Sequence, residues 1–129
     1  MMWIDASFAV GWLLGTERAK LVPVRGVSLA MLAAQYAETQ VFFRRRDVDP
    51  LQIKSELERV ALRAASRTEL MTAADLYVEA RQMKSKASLA DAVLASVARS
   101  RNGRIATFDD DFRFLGFMPL SPGLWGINE

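Results

Sequence analysis

Short apolar runs alternate along this chain with longer stretches in which apolar residues recur every three or four positions. The short runs have the length of strands, and the longer stretches have the periodicity of helices. Strands are predicted at residues 1–4, 27–29, 104–108 and 117–120, with an irregular segment or a further strand at 65–70. Helices are predicted at residues 6–14, 17–21, 30–46 and 50–65, in two stretches capped by Thr72 and by Ser88, and as a turn at 110–115.

Short apolar strands that alternate with helices indicate a parallel sheet with both faces covered. We therefore predict an α/β protein with a three-layer α/β/α fold around a central parallel sheet of four or five short strands. The chain of 129 residues fits one domain, spanning 1–129, and no linker divides it. In sheets of this kind, ligands bind beyond the carboxyl ends of the strands.

Two acidic residues directly follow predicted strands. Asp5 follows the strand at 1–4, and Asp109 follows the strand at 104–108. The carboxyl ends of parallel strands meet at one edge of the sheet, so these two carboxylates are expected to converge. A carboxylate at the end of a buried strand is costly unless a cation compensates its charge. Asp5 also fits the simpler role of capping the helix at 6–14.

Asp110 and Asp111 extend the second of these acidic positions into a run of three carboxylates. A turn rich in Asp is ordinary, but successive like charges repel one another. Without a bound cation, at least one carboxyl pKa in this run should be raised.

Two further acids, Glu38 and Asp91, lie in alanine-rich helical stretches. Glu38 has mostly apolar neighbours at helical spacing, although an exposed face would also explain it. Asp91 follows Ser88 at the spacing of a capping box, so a capping acid and a metal ligand are both consistent with its position. Thr72 and Asp75 repeat that spacing, and we assign Asp75 no chemistry.

The sequence contains neither histidine nor cysteine. Ser-His-Asp and Cys-His hydrolysis, thiolate chemistry and His-ligated zinc are therefore excluded. A site built from carboxylate oxygens favours Mg²⁺ or Mn²⁺ over zinc. Such a site suits phosphodiester hydrolysis, because the metal activates water and offsets the negative charge that develops at phosphorus.

The net charge is only +2, from 17 basic and 15 acidic residues, but the basic residues are clustered. One cluster is Arg44, Arg45 and Arg46, and a second is Arg99, Arg101 and Arg104. These clusters are consistent with a polyanionic partner or with solvated helix ends. The longest apolar stretch, 8–14, is far shorter than the ~20 residues of a membrane span. No signal peptide is evident, so we expect no membrane association and a cytoplasmic location.

Four segments together resemble the PIN domain, and most closely the VapC-type ribonuclease toxins of toxin–antitoxin pairs. They are Asp5-Ala6-Ser7 after a strand, Glu38 in a helix, Ser88-Leu89-Ala90-Asp91-Ala92 at a helix start, and Ala106-Thr107-Phe108-Asp109-Asp110-Asp111-Phe112 after a strand. The resemblance covers essentially the whole chain. It implies a three-layer α/β/α fold and Mg²⁺- or Mn²⁺-dependent endoribonuclease activity.

The resemblance also implies roles for individual residues. The catalytic acids would be Asp5, Glu38, Asp91 and Asp109, with Asp111 assisting or replacing Asp109. Of these, Asp5, Asp91 and Asp109 would ligate the metal directly. Ser7 and Thr107 resemble the small hydroxyl residues that support such a site.

The resemblance further implies molecules that this chain would bind. The substrate would be RNA, and the candidates for holding its backbone are Arg44, Arg45, Arg46 and Arg104. A small antitoxin protein would cover the site, and the chain would form a homodimer.

Two other interpretations compete with the nuclease. One keeps the PIN-like fold but makes it a catalytically silent module that binds a partner protein or RNA. The other is a different Mg²⁺ site, such as a phosphatase or a phosphoacceptor domain. A phosphatase of the haloacid-dehalogenase type needs a second Asp where Ser7 stands. A receiver-type site needs an acidic pair and a late Lys, and neither is evident.

Overall fold

A computed structural model describes all residues, 1–129, and contains one six-stranded sheet. The strands are β1 (Met2–Ile4), β2 (Leu29–Leu32), β3 (Ala61–Arg63), β4 (Arg104–Ala106), β5 (Phe117–Ser121) and β6 (Leu124–Ile127). Their order across the sheet is β3-β2-β1-β4-β6-β5. The first four of these are parallel, whereas β6 runs antiparallel to both β4 and β5.

Six α-helices and one 3₁₀ helix connect and cover the strands. They are α1 (Ala6–Leu14), α2 (Glu17–Lys20), α3 (Ala33–Arg44), α4 (Pro50–Glu56), α5 (Arg67–Gln82), α6 (Leu89–Ser100) and the 3₁₀ helix Asp110–Leu115. No helix is both long and apolar enough to span a membrane.

The core is divided into two clusters because successive strand side chains point to opposite faces of the sheet. In β1, Met2 and Ile4 pack with Phe8 of α1, whereas Trp3 packs on the other face with Leu94 of α6. Each cluster contains residues from helices that cover its face. The predicted three-layer α/β/α architecture is therefore confirmed.

The number and the directions of the strands differ from the prediction. It has six strands rather than four or five, and it is mixed rather than wholly parallel. The predicted strand at 117–120 is half of an antiparallel hairpin, and its partner, Leu124–Ile127, was not predicted as a strand. Gly123, with φ +79°, permits the tight turn between the two strands.

Two element boundaries were also predicted wrongly in the first half of the chain. Residues 29–32 form β2 and are all buried, so the strand lies later than 27–29 and α3 begins at Ala33 rather than at residue 30. Helix α4 ends at Glu56, and β3 occupies part of the range predicted as its second half. A short continuous apolar run fits a buried strand or a helix equally well, which explains both errors.

Helix α5 begins at its cap Ser66 rather than at Thr72, which lies inside the helix. The Glu69 N–H donates to Ser66 Oγ (3.1 Å), and the Ser66 N–H donates to Glu69 Oε1 (2.8 Å). Arg101 also donates to Glu69, and this hydrogen bond is the main reason that the pKa of Glu69 falls to about 2. This capping box and ion pair attach the start of α5 to the end of α6.

Candidate metal centre

Asp5 lies directly after β1, and its side chain is almost fully buried. Its Oδ1 accepts hydrogen bonds from the Phe8 N–H (2.8 Å) and from Ser7 Oγ (2.8 Å). Its Oδ2 accepts a short hydrogen bond from Thr107 Oγ1. Asp5 is therefore the N-cap of α1, and the same carboxylate is also bonded to the segment that follows β4.

Ser7 and Thr107 join the carboxyl ends of β1 and β4. Their hydroxyl oxygens lie 3.3 Å apart. Ser7 Oγ accepts from the Phe108 N–H (3.1 Å), and Thr107 Oγ1 accepts from the Asp109 N–H (3.0 Å). The turn that carries Asp109 is thus fixed directly beside Asp5.

Asp91 lies in the first turn of α6, where its N–H donates to the N-cap hydroxyl of Ser88 (3.1 Å). Its carboxylate does not return a hydrogen bond to the Ser88 backbone, so no capping box forms, in contrast to α5. Instead, Asp91 Oδ1 accepts from Gln35 Nε2 (3.3 Å). The carboxylate is therefore directed into the site rather than toward the end of its own helix.

Burial and mutual repulsion raise the pKa values of three of these acids. Burial raises the pKa of Asp5 to about 7, with the charge of Asp91 adding to it, while hydrogen bonds from Thr107, Phe8 and Ser7 oppose the shift. Partial desolvation by its neighbours, followed by the charge of Asp91, also raises the pKa of Glu38. The negative charge of Asp91 thus raises the pKa values of both Asp5 and Glu38.

Asp109 has a raised pKa as well, so the expectation of a raised value in the run of three acids is confirmed. Burial is the largest cause, and the charges of Asp91 and Asp111 add to it. Asp109 Oδ1 accepts from the Asp111 N–H (2.9 Å) and caps the 3₁₀ helix. Asp111 Oδ1 accepts from Ser85 Oγ (3.1 Å) and the Lys86 N–H (3.4 Å), so its side chain is attached to the loop before α6.

Gln35 is a site residue that the sequence analysis missed. It lies in the first turn of α3 and is 1% exposed. Its Oε1 accepts from the Ala6 N–H (2.8 Å), and its Nε2 donates to Asp91. Gln35 therefore connects the start of α1 to the Asp91 carboxylate. The available signal was a polar residue close after a buried strand, but the misplaced boundary of β2 concealed it.

Glu38 lies one turn further along α3 and is exposed, at the rim of the site rather than within it. It lines a groove of about 340 Å³ together with Ala6, Ser7, Val10, Arg18 and Phe42. The structure thus places Glu38 near enough to Asp91 to respond to its charge, but without a hydrogen bond to the other acids.

None of the four arginines predicted to bind RNA lines the groove that contains Glu38. Arg44 is the last residue of α3 and Arg45 and Arg46 follow it, whereas Gln35 lies near the amino end of the helix, about 15 Å away along its axis. Arg46 stacks on Phe42 and donates to the Phe42 carbonyl. Arg104 opens β4 and lies at the amino ends of the parallel strands, opposite the edge that carries Asp5.

The acid cluster has the chemistry of a divalent-metal site. All its donors are oxygens, and neither Asp91 Oδ2 nor Asp109 Oδ2 accepts a hydrogen bond within the chain. The two salt bridges of the protein, Lys20–Glu17 and Arg101–Glu69, involve none of these acids. No three acidic side chains are gathered closely enough to hold an ion as they stand, so binding requires them to draw together. The residues present fit Mg²⁺ or Mn²⁺.

No curated protein matches the sequence. Two solved structures, however, are similar to this fold. The Mycobacterium tuberculosis toxin VapC20, described as cleaving the sarcin–ricin loop, is 21% identical with a TM-score of 0.72, over 95% of this chain and 100% of that one. A toxin–antitoxin complex from Klebsiella pneumoniae is 16% identical with a TM-score of 0.70, over 87% of this chain and 90% of that one.

The sequence also matches the family described as the PIN domain. The match extends over residues 2–117, which is most of the chain and includes every acid of the site. The protein therefore belongs to the PIN domain family.

Proposed function

We propose that this protein is a Mg²⁺- or Mn²⁺-dependent endoribonuclease and the toxin of a toxin–antitoxin pair. The observation that carries this proposal is that the buried Asp5 and Asp91 and the half-buried Asp109 meet at one edge of the sheet, where no Lys or Arg of the chain forms a salt bridge with them. Membership of the PIN domain family supports the nuclease. The description of VapC20 as an RNA-loop-cleaving toxin supports an RNA substrate, and the Klebsiella complex supports an antitoxin partner. The homodimer stays a prediction.

The residues of the site divide into ligands and positioning groups. Asp5, Asp91 and Asp109 would hold the ion, while Ser7 and Thr107 fix the Asp5 carboxylate by their hydrogen bonds. A bound divalent ion would supply an activated water for hydrolysis and offset the negative charge that develops at phosphorus.

Gln35 and Glu38 act around the ligands. Gln35 orients Asp91 by donating to its Oδ1. Glu38, at the rim, adds negative charge that favours cation binding, and it lies beside the groove through which RNA would approach. The arrangement needs no histidine base.

Removal of divalent metal should abolish RNA cleavage. Purified protein treated with EDTA should leave cellular RNA intact, and added Mg²⁺ or Mn²⁺ should restore cleavage, because the acids alone repel both phosphate and one another. The measurement is the appearance of new RNA ends by gel electrophoresis. Cleavage that persists in EDTA would contradict the metal-dependent mechanism.

The alternative function is a catalytically silent binding module. One observation favours it: no three acidic side chains lie close enough together to hold a metal ion. Calorimetry separates the two functions. Heat of Mn²⁺ binding together with cleavage supports the nuclease, whereas RNA binding without metal binding or cleavage supports the module.

A further inference from the structure

Arg18, in the short helix α2, lies beside the acid cluster and lines two grooves at once. The larger groove, about 570 Å³, is bounded by Thr107, Phe108 and the β5–β6 hairpin. The smaller groove, about 340 Å³, is bounded by Ser7 and Glu38. Since Ser7 and Thr107 both donate to Asp5, the two grooves meet at the acid cluster, with Arg18 between them.

The guanidinium of Arg18 lies 4.1 Å from the centroid of the Phe108 ring. It takes part in neither salt bridge of the chain, unlike Arg101, which is paired with Glu69. The side chain is exposed. A guanidinium stacked on a ring keeps its N–H donors at the edge, where they can reach an anion in two places. Arg18 is thus an unpaired cation held in position beside an acidic site.

The ring beneath Arg18 is itself fixed. Phe108 packs against Phe8, with ring centroids 5.8 Å apart. A Cβ atom on Gly11 would lie 3.3 Å from the Phe108 ring, and one on Gly123 would lie 2.8 Å from it. Two glycines therefore let the α1 backbone and the hairpin turn close on this ring, so the platform for Arg18 has little freedom to move.

We propose that Arg18, on its Phe108 platform, binds a backbone phosphate of single-stranded RNA, with neighbouring nucleotides lying in the two grooves. The proposal deepens the ribonuclease function and rests on it. A cluster of acids repels a phosphodiester, so a substrate needs a cation close by to hold it. Arg104 lies at the opposite ends of the parallel strands, and Arg44, Arg45 and Arg46 line neither groove, whereas Arg18 lines both. Arginine suits the role because its planar fork matches phosphate oxygens in two hydrogen bonds.

Arg59 provides a matched control. Its guanidinium also stacks on an aromatic ring, 4.8 Å from the centroid of Trp12, and its side chain is also exposed. It lines neither of the two grooves. Replacement of Arg18 or Arg59 by Ala removes the same charge and the same kind of stacking, so only position distinguishes the two variants.

The test measures RNA binding without cleavage. Both variants are made in an Asp91→Asn background and titrated in EDTA against a labelled, random-sequence single-stranded RNA, with fluorescence anisotropy at several salt concentrations. Arg18→Ala should weaken binding about tenfold and reduce the slope of log K against log salt by about 0.7, the value for one phosphate on a single strand. Arg18→Lys should retain the slope, and Arg59→Ala should match the parent. Thermal melting checks that each variant is folded.

Equal binding by Arg18→Ala and Arg59→Ala, or an unchanged salt slope in Arg18→Ala, would overturn the phosphate site. This test of the phosphate site can be distinguished from the test of RNA cleavage. If the unmodified protein cleaves no RNA with Mg²⁺ or Mn²⁺, yet binding depends on Arg18, then the phosphate site stands and the nuclease fails. If the unmodified protein cleaves RNA but replacement of Arg18 has no effect on binding, then the nuclease stands and the phosphate site fails.

Discussion

Replacement of Asp91 by Asn is expected to lower the rate of RNA cleavage by about 10³-fold, and replacement of Asp5 by Asn should do the same. Both changes keep the shape of the side chain but remove the charge that would hold the metal. Asn also caps helices well, so the new amide oxygen in Asp5→Asn can still accept from the Phe8 N–H, and the new amide nitrogen can donate to the Thr107 hydroxyl. The fold should persist in each variant.

Asp75→Asn is the matched control for these two variants. Asp75 is an exposed helical acid that follows Thr72 at the same spacing by which Asp91 follows Ser88, but it lies on α5, away from the site. The measurement is the initial rate of RNA cleavage at saturating Mg²⁺, with circular dichroism as the check on folding. Asp75→Asn should cleave at the parental rate. If a folded Asp91→Asn protein also cleaves at the parental rate, Asp91 takes no part in the reaction.

Replacement of Gln35 by Glu should destabilise the metal-free protein, by about 3 kcal/mol at neutral pH. The new carboxylate would place a buried negative charge where Gln35 Nε2 now donates to Asp91 Oδ1 at 3.3 Å. Its oxygens can still accept from the Ala6 N–H, so the loss comes from repulsion of Asp91 rather than from a broken contact to α1. A bound divalent cation would relieve this repulsion, so metal should restore most of the lost stability.

Gln40→Glu makes the same chemical change on the same helix, at a half-buried position that faces Tyr36 and the Pro50 carbonyl rather than an acid. Urea unfolding with and without Mn²⁺ gives the free energy of unfolding of each variant. Any loss in Gln40→Glu should be unaffected by metal. If Mn²⁺ stabilises Gln35→Glu no more than it stabilises Gln40→Glu, position 35 does not face a metal site.

The parts of the site that follow strand ends could be predicted from the sequence. Asp5 and Asp109 directly follow apolar runs, and the topology of parallel strands is enough to bring such positions to one edge. Gln35 obeys the same rule, because it lies three residues beyond the end of β2. It was missed because the apolar run from Leu29 to Leu32 is equally compatible with a helix, and that misassignment placed Gln35 in mid-helix.

Other features depend on contacts that no local pattern encodes. Whether Asp91 caps its own helix or faces the site is decided by Gln35, which lies on another helix. The position of Arg18 depends on the Phe108 ring, which comes from the far end of the chain. The β5–β6 hairpin turns at Gly123, which packs closely on Phe108. No local sequence pattern predicts that contact. Long-range side-chain packing, rather than periodicity, determines these three features.

The proposed function requires carboxylates from separate elements of the chain to bind one divalent cation. Crystals grown with Mn²⁺ test it directly, because the anomalous scattering of manganese locates the ion without prior assumptions. We expect a peak at coordination distance, about 2–2.5 Å, from carboxylate oxygens of Asp5 and Asp91, with the Asp109 side chain drawn toward it. Manganese found only at other positions, with Asp5 and Asp91 unliganded, would contradict it.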